Sequence, residues 1–334
     1  MAQPTQSDVH VNRPLTNISI ATIQAADNFV ATQAFPLVPS TVQSNLYFVY
    51  DNAYWNSDEM QLRGPASESA GSGYKIDSSN SYFCDPYAIH KDIGDQVRAN
   101  ADVPINLDRE ATDHVTLKAL IKRERLFASG FMKSGLWTNY DFTGVAGVPG
   151  ANQVKQWNQA NSTPIEDVWA AKEAILQATG YEPNVLVISF PVYRVLVNHA
   201  EFVDRVKYGQ TWGAGGTQPA KVTLAAMAQL FEVDRVLVCK AIYNTAQEGA
   251  AANHQFIIGK VAGLFYAPSS PGLMTPSAGY IFSWTGYLGA GPDGQRITRF
   301  RMEHLKADRV EIEIAFAMKL ISVNLGAFWT SVVG

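Results

Sequence analysis

The residues from Asn106 to Ser134 predict one long helix, which limits how the rest of the chain can fold. Asn106 is suited to cap the N-terminus, and Asp108 and Glu110 place negative charge where the helix dipole favours it. Apolar residues recur at spacings of three and four and form one stripe, made of Leu117, Leu120, Ile121, Phe127, Ala128 and Phe131. At 1.5 Å per residue the helix would be roughly 40 Å long, which suits a spine that crosses a flat, extended subunit.

Composition places the chain among folded proteins and argues against several classes. It has 334 residues, 47% of them hydrophobic, which is enough for two domains or one large one. No apolar run approaches the roughly 18 residues that cross a bilayer, and the N-terminus lacks the features of a secretory signal. A net charge of −4 without a long basic run argues against a dedicated nucleic-acid binder, although loose contact with packaged nucleic acid remains compatible with it.

The search for chemistry yields no specific motif. The chain has no G-x-S-x-G, H-E-x-x-H or Walker sequence, and its six histidines are not at metal-ligand spacing. His199 is expected to be packed or capping. Cys84 and Cys239 are expected to be buried free thiols. We therefore predict no catalytic residue, no cofactor and no metal site.

The first 44 residues predict an N-terminal arm. They are polar up to Arg13 and contain four prolines that discourage regular structure, namely Pro4, Pro14, Pro36 and Pro39. A flexible tail and an arm that becomes ordered on a partner subunit are both compatible with this pattern, and we expect the second.

Residues 45–84 predict an extended hairpin. The stretch LYFVYD is suited to a strand, a return strand is expected over Tyr74–Cys84, and Gly64–Gly73 between them is small and polar. Loops of this length are usually functional, so we expect the hairpin to lie over a neighbouring subunit rather than to be a disordered insertion. The following residues, 85–105, predict a short helix or a pair of turns.

Two further regions complete the chain. From Ser162-Thr163-Pro164 onward, helices alternate with strands such as VLVISF, which indicates an α/β domain over residues 161–275. From residue 276 the strands alternate polar and apolar residues, as in QRITRFRMEH, which is typical of an antiparallel sheet with one face in solvent. We expect this sheet and residues 85–160 to form one domain, with Arg299, Arg301 or Arg309 paired to Glu311 and Glu313.

The order of these segments resembles that of the major capsid proteins of tailed bacteriophages, which have the Hong Kong 97-type fold. The stretches that carry the resemblance are FPLVPS, YFCDPYAIHKDIGDQVRAN, PNVLVISFPVYRVLVNH, VTLAAMAQLFEVDRVLV with the following KAIYNTA, and LMTPSAGYIFSW. The resemblance implies an α+β fold with an N-terminal arm (1–44), an extended β-hairpin loop (45–84), a peripheral domain (85–160 and 276–334) with a spine helix (106–134), and an inserted α/β axial domain (161–275).

The same resemblance implies a structural function. Family members assemble as hexamers and pentamers into an icosahedral shell that encloses double-stranded DNA, so we expect a virion protein that assembles in the host cytoplasm. The implied partners are further copies of the chain, a portal, a separate scaffolding protein, a decoration protein and non-specifically bound genomic DNA, with no membrane. The alternatives are an encapsulin-like nanocompartment shell, an unrecognised α/β enzyme, and a tail or decoration protein.

The resemblance also implies positions of contact and movement. Inter-subunit contacts are expected at the tip of the extended loop, at Gly64, Pro65, Gly71, Gly73 and Lys75. Loops at the capsomer centre are expected to contain Gly209, Trp212, Gly215, Gly216, Glu248 and Asn253. Candidate hinges are Gly130, Gly135 and Gly144.

Overall fold

The computed structural model describes residues 24–50, 52–101, 105–210, 222–272, 274–289 and 294–334. Its α-helices are α1 (Ala31–Ala34), α2 (Asn52–Trp55), α3 (Asp95–Asn100), α4 (Leu107–Phe131), α5 (Pro164–Thr179), α6 (Phe190–Val197), α7 (Ala200–Gln210), α8 (Leu224–Phe231) and α9 (Thr285–Leu288). Its strands are β1 (Leu37–Ser40), β2 (Ser44–Tyr50), β3 (Ile76–Phe83), β4 (Asp85–Gly94), β5 (Asp141–Val145), β6 (Gln153–Lys155), β7 (Val185–Ser189), β8 (Arg235–Cys239), β9 (Ile242–Asn244), β10 (His254–Phe256), β11 (Ala262–Phe265), β12 (Gly279–Trp284), β13 (Gln295–Met302), β14 (Ala307–Leu320) and β15 (Gly326–Thr330).

Two large sheets organise the described residues. The first is built around β14, which pairs antiparallel with β4, β13 and β12, while β1 adds a parallel edge to β12. The second has the order β6-β5-β15-β11-β7-β8 and mixes parallel and antiparallel pairs. Two small antiparallel pairs, β2–β3 and β9–β10, lie outside these sheets.

The long helix α4 confirms the main sequence prediction. It has 25 residues, and the Asn106 side chain accepts a hydrogen bond from the Arg109 backbone N–H, as expected of a cap. Its buried face differs from the predicted apolar stripe, because it includes Arg123 and Glu124 while Leu117, Leu120 and Ile121 are only half-buried. The buried positions follow one another at intervals of four residues, at Ala111, Val115, Ala119, Arg123, Phe127 and Phe131, with Glu124 buried next to Arg123.

The described part of the predicted arm is not an arm. Phe29, Val30 and Phe35 are at most 5% exposed, and the Phe35 ring lies 4.5 Å from the Phe131 ring and 5.3 Å from the Phe265 ring, measured between centroids. Strand β1 follows directly and joins the first sheet. The expectation of an arm was therefore wrong for residues 29–40, whose apolar side chains fill the subunit's own core. Residues 1–23 lie outside the described residues.

Two other expectations fail for reasons of long-range pairing. Residues 85–94 form strand β4, because each of them finds a partner along β14, and the short helix expected over 85–105 is present only as α3 at Asp95–Asn100. Strand β15 was expected in the first sheet, yet it pairs with β5 and β11 near the middle of the second. Strands β5, β6 and β15 therefore belong with the α/β region, and the expected boundary at residues 160 and 276 divides a continuous sheet.

The hairpin β2–β3 matches the sequence prediction and is fixed to the body at one end. Its strands pair from Ser44–Phe83 to Tyr50–Ile76, with an irregularity between Tyr47 and Val49. The rings of Tyr47 and Tyr82 stack on Phe282 of β12, with centroid distances of 5.9 and 4.1 Å. Aromatic packing thus fixes the direction in which the hairpin leaves the first sheet.

The close approach of β5 to the end of β15 generates a prediction. A Cβ on Gly144 would overlap the carbonyl group of Ser331, whereas a Cβ on Gly147, three residues later, would meet no atom within 4 Å. We expect Gly144→Ala to lower the free energy of unfolding by about 2 kcal/mol, since overpacking costs about 1–3 kcal/mol. Gly147→Ala, the matched control, should change it by less than about 0.5 kcal/mol. Urea denaturation of both variants tests this, and equal effects would contradict the assigned packing.

Candidate assembly surfaces

The loop between β2 and β3 presents the predicted contact residues together. All five loop-tip positions are exposed, namely Gly64, Pro65, Gly71, Gly73 and Lys75. Met60 and Leu62 in the same loop are 93% and 103% exposed, so two large apolar side chains stand in solvent. Apolar surface of this kind is a common mark of a protein–protein contact. The role of the loop tip in contacts between subunits stays a prediction.

The base of this loop is held in place by its own contacts. The rings of Tyr50, Trp55 and Tyr74 form a cluster, with centroid distances of 5.2 to 6.2 Å. The Asn52 side chain donates a hydrogen bond of 2.8 Å to the Ala178 carbonyl at the end of α5. The loop therefore starts from a fixed position on the α/β region.

The outer face of the hairpin is a candidate contact surface that the sequence prediction missed. Leu46, Phe48 and Phe83 are more than half exposed, while Tyr47 and Tyr82 on the opposite face pack against the body. The signal was available, because Leu46 and Phe48 alternate with Tyr47 and strands place alternate residues on opposite faces. Strand β2 therefore carries large apolar side chains on both faces, whereas a strand with one face in solvent usually carries polar residues on that face.

The residues expected at the capsomer centre are described only in part. Gly209 lies in the last turn of α7, while Trp212, Gly215 and Gly216 lie outside the described residues. Glu248 and Asn253 lie in the loop between β9 and β10, which is closed by a hydrogen bond of 2.8 Å from the Asn253 N–H to the Asn244 side chain. Their position at a capsomer centre stays a prediction.

The three candidate hinges occupy different surroundings. Gly130 lies near the end of α4, where a Cβ would have room beside Met318. Gly135 has a φ of +87°, which favours glycine, and its N–H donates a hydrogen bond of 2.6 Å to Asp141. Gly144 is enclosed by Ser331, so packing alone explains its glycine. Whether any of the three acts as a hinge is untested.

A network of arginines and aspartates stiffens one end of the first sheet. Arg98 donates two hydrogen bonds of 2.9 Å to Asp108 at the start of α4 and one of 3.0 Å to Asp308 on β14. Arg299 on β13 contacts the same two carboxylates. These arginines hold the pKa values of both aspartates below their usual range. The network joins α3, α4, β13 and β14 at one place.

The expected partners of the strand glutamates need correction. Glu313 accepts a hydrogen bond of 2.6 Å from Arg296, while Arg301 and Arg309 pair with aspartates outside the β13–β14 pair, Asp95 and Asp92. These aspartates lie in α3 and β4, so they became available only through the unexpected pairing of β4 with β14.

The hydrogen bond between His199 and Ser162 runs in the wrong direction for nucleophilic catalysis. The Ser162 Oγ lies 3.0 Å from His199 Nε2, and the Glu201 backbone N–H donates to His199 Nδ1. Because Nδ1 accepts, the proton of the neutral ring lies on Nε2, which donates to Ser162. Burial lowers the pKa of His199, which favours this neutral ring. A general base would need Nε2 free to accept the serine proton, so the pair fits the expected packing role of His199.

Asp167, near this pair, lies in surroundings that disfavour its charged form. Burial raises its pKa to about 6, and the nearby carboxylates of Glu201 and Glu166 act in the same direction. The Trp157 indole N–H opposes the shift by donating a hydrogen bond of 2.9 Å to the Asp167 carboxylate.

Both cysteines are buried free thiols, as expected. Burial raises the pKa of Cys84 to about 11, so its thiol is not activated. Within the described ranges, no three His, Cys, Asp or Glu side chains are grouped so that they could hold a metal ion. Nor does any described helix have the length and apolar character required to cross a membrane.

Comparisons with known proteins give one sequence relative and many similar structures. No protein-family model matches the chain. The major capsid protein of Burkholderia phage BcepMu is 29% identical over 89 residues, which is 27% of this chain and 26% of the relative, so the match spans about a quarter of the relative's length.

The structural matches extend over nearly the whole chain. A phage-related protein from Bordetella bronchiseptica RB50 has a TM-score of 0.66 at 18% identity and covers 92% of this chain and 94% of its own. The capsid structure of cyanophage P-SCSP1u has a TM-score of 0.60 at 9% identity, with coverages of 97% and 93%. An encapsulin complex from Synechococcus elongatus PCC 7942 has a TM-score of 0.55 at 9% identity, with coverages of 100% and 98%.

The raised pKa of Asp167 generates a prediction with a definite sign. The folded-state pKa of about 6 lies above the usual value of 3.8, so ionised Asp167 opposes folding, and its cost disappears as the pH falls from above 6 towards 4. We expect Asp167→Asn to raise the free energy of unfolding by about 1 kcal/mol at pH 8, a figure discounted for partial exposure, and to change it little at pH 4.

Urea denaturation at both pH values measures the difference between variant and wild type. Glu173→Gln, which removes an exposed carboxylate from the same helix, is the matched control. A gain that is the same at pH 4 and pH 8 would contradict the assigned titration.

Proposed function

We propose that this chain, which has the Hong Kong 97-type fold of the phage capsid proteins that it resembles, is the shell-forming capsid protein of a bacteriophage. The observation that carries the proposal is the extent of the structural match, since the cyanophage capsid protein aligns with nearly every element of the chain. The short match to a phage major capsid protein supports it independently, because it rests on sequence. The function is structural, and we assign no catalytic residue.

The proposed mechanism is the burial of exposed loops on neighbouring subunits. The extended loop and the outer face of the hairpin offer apolar side chains that the subunit does not bury itself, among them Met60, Leu62 and Phe48. Each subunit would then contribute several moderate interfaces, whose sum stabilises a shell even where each is weak. In this proposal α4 is the spine, residues 45–84 are the extended loop, and the helices and strands within 161–275, together with β5, β6 and β15 of the same sheet, form the axial region.

The finer features of the proposal follow from the resemblance. We propose that the subunits form hexamers and pentamers that close into an icosahedral shell around double-stranded DNA, and that assembly takes place in the host cytoplasm. A portal, a separate scaffolding protein and a decoration protein are the proposed partners. The net charge of −4 fits loose, non-specific contact with the packaged genome better than tight binding.

An encapsulin-like shell is the second candidate, and one observation favours it. The encapsulin complex covers all of this chain, although with a lower TM-score than the cyanophage capsid. Both candidates share the fold and self-assembly, and they differ in what the shell encloses.

Electron microscopy of the purified protein, with sedimentation velocity on the same sample, tests the function. We expect closed particles with five- and six-fold capsomers, because each subunit carries exposed surfaces suited to its neighbours. Co-expression with a scaffolding protein is the condition to use if the chain alone yields small species. A compact monomer that forms no particle in either condition would contradict the proposal. Nucleic acid in native particles supports the phage shell, and a protein cargo supports the encapsulin alternative.

The exposed apolar residues of the loop generate a separate prediction. We expect the double variant Met60→Ser, Leu62→Ser to reduce the yield of particles at least tenfold while leaving the midpoint of subunit unfolding unchanged, because neither side chain is buried in the subunit. Val148→Ser is the matched control, since Val148 is 94% exposed in a different loop. Particle yield is read from sedimentation. A normal yield from the double variant would remove the loop from the proposed contacts.

A further inference from the structure

Glu124 is a buried carboxylate that no assembly surface uses. It lies near the middle of α4 and is 0% exposed, on the face of the helix that packs into the core. A carboxylate in such surroundings is strongly unfavourable unless hydrogen bonds and favourable dipoles compensate for the lost water. Its partners therefore indicate what the residue is for.

Three donors from two other parts of the chain meet this carboxylate. Oε2 accepts hydrogen bonds from the backbone N–H groups of Val30 (3.0 Å) and Ala31 (2.9 Å), which begin α1. Oε1 accepts one from the Cys239 thiol (3.2 Å) at the end of β8. One side chain thus joins the N-terminal segment, which we define as residues 24–40, to the long helix and to the second sheet.

The N-terminal segment has a second attachment close by. The Gln24 side chain donates to the Ile242 carbonyl (2.7 Å) and accepts from the Ile242 N–H (2.9 Å), as a neighbouring strand would. The Lys240 N–H donates to the Asn28 carbonyl (3.2 Å). These contacts tie the first residues of the segment to residues 239–242 at the edge of the second sheet, while its last residues pair with β12 in the first sheet.

The charge of Glu124 determines how strongly the segment is held. Backbone N–H groups bind a carboxylate more strongly than a neutral acceptor, because the hydrogen bond is assisted by the charge. Burial raises the pKa of Glu124, while the hydrogen bonds from Ala31, Cys239 and Val30 act in the opposite direction. In the neutral state the proton must lie on Oε1, because Oε2 faces two donors, and the Cys239 thiol must then accept rather than donate.

We propose that Glu124 is a latch for the N-terminal segment, and that removing its negative charge makes detachment of this segment more frequent while α4 and the second sheet stay folded. Release would uncover the edge of β12 that pairs with β1, together with the rings of Phe131 and Phe265 that cover Phe35. The latch is a property of the single subunit, and it does not depend on the proposed shell function.

Hydrogen–deuterium exchange of the purified full-length protein tests the latch. Glu124→Gln keeps the shape of the side chain and removes its charge. We expect exchange of the amides in residues 30–40 to become about tenfold faster, because a hydrogen bond to a charged group is replaced by a weaker one. Exchange within Ala119–Phe131 of α4 and Leu186–Ile188 of β7 should change less than twofold. Glu110→Gln is the matched control, since Glu110 is an exposed glutamate on the same helix.

Two outcomes would overturn the proposal. Unchanged protection of residues 30–40 in Glu124→Gln would show that apolar packing alone holds the segment. Equal acceleration in all three regions would make Glu124 an ordinary core residue. Should Glu124→Gln fail to fold, Cys239→Ala removes one donor and keeps the charge. It should accelerate exchange of residues 30–34 by about threefold, and wild-type protection there would equally contradict the latch.

Discussion

The aromatic cluster at the C-terminal end of α4 is the contact on which the rest of the structure depends. Phe131 of α4, Phe35 of the N-terminal segment and Phe265 of β11 lie ring against ring, and Trp137 packs on Phe265 at a centroid distance of 4.9 Å. Phe265 belongs to the second sheet, whereas α4 and the N-terminal segment cover the first. The cluster is therefore where the two sheets are joined, and its rings contribute both apolar burial and mutual attraction.

Glycines in the neighbouring strands make room for this cluster. A Cβ on Gly279 at the start of β12 would approach the Phe131 ring to 2.5 Å, and a Cβ on Gly326 at the start of β15 would overlap the Trp137 ring. Glycine has a low propensity for strands, so its presence at the start of both β12 and β15 indicates that ring packing outweighs strand propensity at these two positions. Gly279 lies in the first sheet and Gly326 in the second, so glycine makes room for the aromatic rings on both sides of the junction.

Local patterns predicted the local elements, and failures arose where a distant partner decided the outcome. The Asn106 cap, the hairpin strands and the helix after Pro164 follow from short-range rules, and the structure has them within a few residues. Arg123 and Glu124 were missed because a stripe counted by hydrophobicity cannot foresee a buried charge whose donors lie more than 90 residues away. Pro36 and Pro39 suggested an arm, but Pro36 precedes β1 and Pro39 lies in it, where a parallel edge strand on β12 accommodates a proline. The loop-tip contacts were implied by the resemblance, whereas the apolar outer face of the hairpin was missed although Leu46 and Phe48 alternate with Tyr47, which packs on Phe282.

The pairing of β15 limits where the subunit can adapt to different neighbours. Because β15 lies between β5 and β11, the end of the chain is fixed inside the second sheet, and the aromatic cluster fixes that sheet to α4. Rotation of one sheet against the other would separate these packed rings and lose the apolar burial between them. The hairpin β2–β3 is attached instead by the stacking of Tyr82 on Phe282 at one end and by the Asn52 hydrogen bond to the Ala178 carbonyl at the other. Movement of the hairpin, with the two sheets moving as one body, would therefore cost less than movement of one sheet against the other when one sequence must fit more than one position in an assembly.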